Sequence, residues 1–203
     1  MTLLDIKALA LDLGNVLVKV DHLRFCRRLA ELAGLTPEEV YNRIFASDLE
    51  PGFDTGRLTS AEFHRRVMDL FRVTLPFSQF SHWWNDIFAP MEGMADLVRR
   101  LSARHPLYLL SNTNPLHFNF IRENYPFLAL FKSFVLSFEV GRRKPEPGIY
   151  QALIQRTGVP PCQCLFVDDK LPFVTAAQGQ GLTAWHFTSP EEFIADLQQH
   201  GLY

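Results

Sequence analysis

The side chains best suited to chemistry stand where apolar runs give way to turns. Asp12 closes the run that begins at Ala8 and opens Asp12-Leu13-Gly14-Asn15-Val16-Leu17-Val18. An apolar segment thus delivers a carboxylate into a glycine-containing turn, where it can act as a nucleophile. Ser111 ends Leu107-Tyr108-Leu109-Leu110, and its hydroxyl, with the N–H groups that open the next helix, suits a phosphoryl oxygen. Lys144 lies in Gly141-Arg142-Arg143-Lys144-Pro145-Glu146-Pro147, a basic loop braced by two prolines. An ammonium fixed there can offset the charge of a phosphate and of a carboxylate nucleophile together. Asp168 and Asp169 follow Cys164-Leu165-Phe166-Val167. Two adjacent acids at a buried strand end raise one another's pKa unless a cation lies between them, and magnesium, which takes a few carboxylates with waters and phosphate oxygens, fits.

Taken singly, each site has a plainer reading. Asp12 can bond its own turn, Ser111 and its neighbours can cap a helix, Lys144 can be solvated, and one acid of the pair can cap the helix that follows.

The elements that must position these groups are legible as alternating patterns. Short apolar runs at 8–11, 107–110, 134–136, 165–167 and 184–187 predict buried parallel strands. Segments of helical period at 91–104, 115–124, 147–158, 174–181 and 190–200 lie between and after them. Strand and helix in alternation predict an α/β, doubly wound, Rossmann-like parallel sheet. The interval from Asp21 to Ala89 has no strand run and several helical patterns, opened by Thr36-Pro37-Glu38-Glu39 and by Thr59-Ser60-Ala61-Glu62. The predicted organisation is therefore a core of residues 1–18 and 90–203 with a small all-helical cap at 19–89. A cap inserted after the first strand sits over the carboxyl ends of the sheet, where ligands of open α/β sheets bind. Within it, Glu50-Pro51-Gly52-Phe53-Asp54-Thr55-Gly56-Arg57 reads as a turn.

Composition limits the partners. The chain has 203 residues, 47% hydrophobic and 21% charged, with 20 basic against 22 acidic side chains. This is an ordinary globular balance, with no basic run to footprint nucleic acid or an anionic membrane. No window approaches the roughly 18 unbroken apolar residues of a membrane span, and no secretory leader is visible. Cys26, Cys162 and Cys164 leave one thiol unpaired in any disulfide scheme. Reduced thiols and a cytoplasmic location are expected, as monomer or homodimer.

Together, LDLGNVLV, LLSNTN, GRRKPEPGIY and LFVDD, with the cap segment FDTGRLTSAEF, resemble the haloacid dehalogenase superfamily, in its sugar-phosphate phosphatase branch. The resemblance implies a magnesium-dependent phosphatase of a small phosphorylated metabolite. Asp12 would form an aspartyl-phosphate and Ser111, with the Asn112 backbone, would bind the transferring group. Lys144 would offset charge. Mg2+ would be held by Asp12, Asp168, Asp169 and the carbonyl of Gly14. Phe53 and Arg57 on the cap turn would contact substrate.

The sequence departs from the superfamily pattern at two points. Gly14 stands where most such phosphatases carry a second Asp as general acid and base, help commonly worth ~10²- to 10⁴-fold. Asp21, His22 and His64 are the replacements considered. Lys170 and Phe173 replace a polar residue and an Asn in the fourth motif, and the Lys170 ammonium can pair with the two acids. These departures keep open a catalytically weak phosphate-binding or regulatory protein, and carbon–halogen hydrolysis by the same aspartate is the further alternative. Trp83, Trp84, Phe77, Phe80 and Phe88 are expected to form the core of the cap, and His105, His117, His186 and His200 to be structural.

Overall fold

A computed structural model describes residues 5–203. In chain order the strands are β1 (Ala8–Leu11), β2 (Val18–Val20), β3 (Phe88–Pro90), β4 (Leu107–Ser111), β5 (Phe131–Leu136), β6 (Cys164–Asp168) and β7 (Thr183–His186). Five of them form a wholly parallel sheet of order β5-β4-β1-β6-β7. Strand order reverses direction at β1, which has β4 on one side and β6 on the other. Ligand crevices of doubly wound sheets open at the carboxyl end of such a switch point, and that is where Asp12, Ser111 and Asp168 stand.

Side-chain alternation builds three layers. Leu9, Leu11, Leu107, Leu109, Leu165 and Val167 face one apolar cluster, which the helices Met94–Ser102, Pro115–Asn124 and Pro190–Gln199 cover. Ala8, Ala10, Tyr108, Leu110, Cys164 and Phe166 face the other, beneath the helices Pro147–Thr157 and Leu171–Gly179. A period of two with both faces covered is what a buried parallel strand requires. The edge strands differ most from expectation. β5 starts three residues earlier than the apolar run, because Lys132 and Ser133 sit on an edge where polar side chains reach water; β7 is displaced by one residue.

Five helices lie between β2 and β3: α1 (His22–Ala33), α2 (Pro37–Phe45), α3 (Leu49–Asp54), α4 (Ser60–Phe71) and α5 (Phe77–Asn85). Thr36 and Thr59 each close a capping box with the Glu three residues on. Their apolar faces gather a separate cluster around Phe25, Phe53, Phe63, Phe80 and Trp84, with Phe25 edge-on to Trp84 at 4.9 Å. Trp83 and Phe88 are half-buried, whereas Phe77 is exposed and lies outside that core. β2 and β3 pair antiparallel, so the chain enters and leaves the helical insertion side by side. The apolar-run criterion missed this ribbon because each of its strands has only three residues.

The segment expected to be a turn is largely the short helix α3. Gly56, just beyond it, adopts φ +70° and packs against the main-chain carbonyl of Phe138 from the sheet domain. A Cβ there would strike that oxygen. Gly34, at the end of α1, also has positive φ, +68°, but faces open space. Gly34→Ala is therefore expected to carry the left-handed strain alone, about 1–2 kcal/mol. Gly56→Ala is expected to cost more, because the backbone must also shift, and urea denaturation of the two variants checks the order.

Candidate active site

Lys144 is the centre of the arrangement, with its side chain 1% exposed. Its Nζ donates to Asp12 Oδ1 at 2.8 Å, to Asp168 Oδ2 at 2.5 Å and to the Leu110 carbonyl at 3.2 Å, which uses all three N–H groups. The rings of Phe166 and Phe173 lie 5.4 and 5.3 Å from the same nitrogen. The backbone of Lys144 is clamped by one side chain: Asn112 Oδ1 accepts from its N–H at 2.7 Å, and Asn112 Nδ2 donates to its carbonyl at 3.0 Å.

Two carboxylates share this one ammonium. Burial pushes the Asp12 carboxyl up to about 7 against the pull of Lys144, and Asp168 adds to the rise. Burial also works against the Lys144 ammonium, but Asp12 and Asp168 outweigh it and hold the group above its ordinary value. A further cation beside Asp12 would complete the neutralisation.

The neighbouring acids differ in what they face. Asp168 is fully buried, and its oxygens accept from Lys144 and, at 2.8 Å, from the Lys170 N–H. Asp169 lines the cavity, and its Oδ1 is buried with no hydrogen-bond partner among the described residues. Oxygens of Asp12, Asp168 and Asp169 lie within 4.8 Å of one another. This set of hard oxygen donors, one of them unpartnered, fits a divalent cation, with Gly14 on the same cavity wall. Asn15 shapes that wall at φ 56°; its Oδ1 accepts from the Val20 N–H at 3.1 Å, and its Nδ2 reaches Asp169 at 3.4 Å. The Lys170 ammonium lies 5.3 Å from the Phe173 ring and, among the described residues, pairs with neither acid.

These groups surround a cavity of about 120 Å³ that Asp12, Ser111, Asn112, Lys144 and Asp169 share with side chains from the cap and its neighbourhood. Phe53 and Arg57 are not on its wall. Phe53 is fully buried, stacked on Phe63 at 4.4 Å, and Arg57 is exposed. The correction follows from α3. On a helix, positions four apart share a face, so Glu50 and Asp54 line the cavity while Phe53 turns into the cap core. Pro51 and Gly52 hide the helix from a reading that takes them as turn residues. Of the replacements considered for the missing acid, Asp21 is spent capping α1 and His64 bonds the Leu75 carbonyl inside the cap; only His22 reaches the cavity.

His117, expected to be structural, also lines the cavity, held in a network that joins cap to sheet domain. Asn114 Oδ1 accepts from Trp84 Nε1 at 3.4 Å and from the His117 N–H at 3.1 Å. Its Nδ2 donates to Asp54 Oδ1 at 3.2 Å and to His117 Nδ1 at 3.1 Å. His117 Nε2 is then the protonated nitrogen, donating to the Trp84 carbonyl at 3.0 Å. Arg143 reaches Glu50 at 3.5 Å and Asp54 at 3.9 Å from the loop beside Lys144.

Burial lowers His117 to about 3. Between pH 6.5 and about 3 the unfolded chain carries a proton on this ring that the folded one refuses, so its burial removes stability as pH falls through that window. Wild type is expected to lose up to about 1.4 kcal/mol per pH unit more than His117→Asn there, measured by urea denaturation at stepped pH.

With this geometry in place, the comparisons with known proteins have a physical counterpart. The family model described as haloacid dehalogenase-like hydrolase matches residues 6–181. A D-ribitol-5-phosphate phosphatase of Bacteroides thetaiotaomicron is 26% identical over 171 residues, 81% of this chain and 83% of that one. The sesquiterpene phosphatase astK of Aspergillus oryzae is 25% identical over 160 residues, 77% and 81% of the two chains. A solved HAD-family enzyme of Bacteroides thetaiotaomicron, in complex with magnesium and inorganic phosphate, superposes with a TM-score of 0.82 at 26% identity, covering 91% of this chain and 96% of that one. A carboxylate, a serine, a lysine and an acid pair at the carboxyl ends of a parallel sheet, beneath a helical insertion, are thus set in a matching chain: the protein belongs to the haloacid dehalogenase-like hydrolases.

Proposed function

We propose that this hydrolase is a magnesium-dependent phosphatase, and that it acts on a small hydroxylated phosphate monoester, such as a sugar or polyol phosphate, through an aspartyl-phosphate on Asp12. The observation that carries this reading is the convergence of Asp12, Ser111, Lys144 and Asp169 on one cavity. The relatives named as phosphatases, and the neighbour solved with magnesium and phosphate, support it.

Asp12, Asp168, Asp169 and the Gly14 carbonyl would hold the metal, with Asp168 also bracing Lys144. Bound there, magnesium would draw charge from the phosphoryl oxygens and favour the ionised form of Asp12. The chain supplies the rest by position. Asp12 presents a carboxylate oxygen to phosphorus; its partner Lys144 sets the orientation and offsets charge as the bond forms. Ser111 and the Asn112 N–H receive the phosphoryl oxygens, the Thr113 N–H being held by Ser137 Oγ at 2.9 Å. The core of 1–18 and 90–203 carries the chemistry, and the 19–89 insertion selects the leaving group.

Substrate size and polarity argue for a hydroxylated compound. The cavity has a volume of about 120 Å³. Its outer wall carries His22, Glu50, Asp54, His117, Arg143 and Lys170, which suit hydroxyl groups better than a long apolar tail. A cytoplasmic site of action accords with three free thiols.

Phosphate release from a panel of sugar, polyol and aryl phosphates tests the reading. Turnover is expected to require magnesium and to fall at least ~10³-fold in Asp12→Asn, which keeps the shape but loses the nucleophile. Calorimetric titration of Mg2+ is expected to show weaker binding in Asp169→Asn. An active Asp12→Asn protein defeats the mechanism. A folded protein that binds phosphate but is silent on the whole panel favours a regulatory binding role, to which Gly14 also points.

A further inference from the structure

Gly14 leaves the site without a proton-transfer group on the loop that carries the nucleophile. An alkoxide is a poor leaving group, so hydrolysis of an alkyl phosphate needs an acid elsewhere in the cavity. The titratable side chains on its wall can be taken in turn. Lys144 has all three N–H groups engaged. His117 has both ring nitrogens engaged, and burial lowers His22 to about 4, so neither ring carries a spare proton at neutral pH. Asp169 faces the metal position. Arg143 and Lys170 are cations that hold their protons. Glu50 and Asp54 remain.

We propose that Asp54, delivered by the cap, is the general acid and base of this site and takes the part that a second aspartate at position 14 would have played. The proposal rests on the phosphatase reading above. Asp54 lines the same cavity as Asp12, with its side chain 4% exposed. Glu50 lies one helical turn before it on α3, and both carboxyls line the cavity and face Arg143. Two neighbouring buried carboxyls raise each other's proton affinity, which favours the protonated form of one of them. The cations that face the pair are Arg143, at 3.5 Å from Glu50 and 3.9 Å from Asp54, and, more remotely, Lys170. Burial, then the Glu50 charge, keeps Asp54 well above the ordinary carboxylate range. Asn114 fixes which oxygen is free. Its Oδ1 is taken by two donors, so its Nδ2 donates to Asp54 Oδ1; Oδ2, which faces Arg143 at 3.9 Å and accepts no hydrogen bond among the described residues, is the oxygen that would carry or receive the proton.

The steps balance. As Asp12 bonds to phosphorus, the bond from phosphorus to the leaving oxygen breaks, and the Asp54 proton passes to that oxygen; an alcohol departs and Asp54 is a carboxylate. That carboxylate then takes a proton from the water that attacks the aspartyl-phosphate. Inorganic phosphate leaves, Asp12 is again a carboxylate and Asp54 again an acid.

The test compares leaving groups in the magnesium-loaded protein. With polyol phosphates, Asp54→Asn is expected to lose ~10²- to 10⁴-fold in kcat. With 4-nitrophenyl phosphate, whose leaving group needs no proton, the same variant is expected to give a burst of about one nitrophenolate per enzyme and then turn over slowly, because hydrolysis of the aspartyl-phosphate lacks its base. The burst itself reports a folded, competent site. Glu50→Gln is a second probe: without the Glu50 charge the Asp54 proton is held less tightly, and the alkaline limb of kcat on polyol phosphates is expected to move to lower pH. Unchanged polyol phosphatase activity in Asp54→Asn overturns the proposal, as does equal loss on both substrates with no burst, or an alkaline limb that stays in place in Glu50→Gln. If wild type releases phosphate from neither substrate, the phosphatase reading fails first and this inference falls with it.

Discussion

A single buried ammonium, shared between two carboxylates, sets the terms for the rest of this structure. Burying Lys144, Asp12 and Asp168 costs several kcal/mol per ion unless each is paired and hydrogen-bonded. The sequence meets that demand from three separate segments: the end of β4, β6 and the helix that follows it. Leu110 offers a carbonyl, Asp168 a second carboxylate, Asn112 a two-point clamp on the Lys144 backbone, and Phe166 and Phe173 their ring faces. The same neutralisation is incomplete by design of the charges present: two acids face one ammonium, and Asp12 is left with a proton affinity far above that of a solvated aspartate. A nucleophilic carboxylate held in this way depends on a further cation to be fully ionised.

The two acids at the end of β6 divide that work although they are adjacent. Successive residues at a strand end point to opposite sides, so Asp168 turns inward to Lys144 while Asp169 turns to the cavity. Their order is therefore not interchangeable. The inward acid fixes an ammonium and takes an N–H from Lys170; the outward one keeps an unpartnered oxygen. The Lys170 side chain, which the sequence leaves free to pair with both acids or to point to solvent, lies over the Phe173 ring.

Much of this was legible because the chemistry sits where the hydrophobic pattern stops. β1 and the helix Pro115–Asn124 fall within the bounds their periodicity predicts, and the capping boxes at Thr36 and Thr59 form. What periodicity could not give was the first half of the edge strand β5, the ribbon of β2 and β3, and above all α3. Pro51 and Gly52 carry strong turn signals, and a six-residue helix is held by tertiary contacts rather than by propensity. Treating that stretch as a turn assigned Phe53 and Arg57 to the cavity; the helix assigns Glu50 and Asp54. The His117 and Asn114 network was out of reach for a different reason, since it depends on Trp84 and Asp54, 30 and 60 residues away from Asn114.

Placing the acid on the cap changes what the cap must do. An acid two residues from the nucleophile is in position whenever the loop is folded. An acid on α3 is in position only when Arg143, Asn114 and the Gly56 contact with Phe138 hold that helix against the sheet domain. Protonation of the leaving group then requires the insertion to be seated, so the element that surrounds the leaving group also licenses its departure. Selectivity and rate become one property of the closed cavity, because a molecule that binds phosphate correctly but keeps the cap from settling leaves Asp12 with no acid opposite it. On this proposal, substrate choice would be a matter of which phosphate ester lets Asp54 reach its oxygen, and not only of which ester fits.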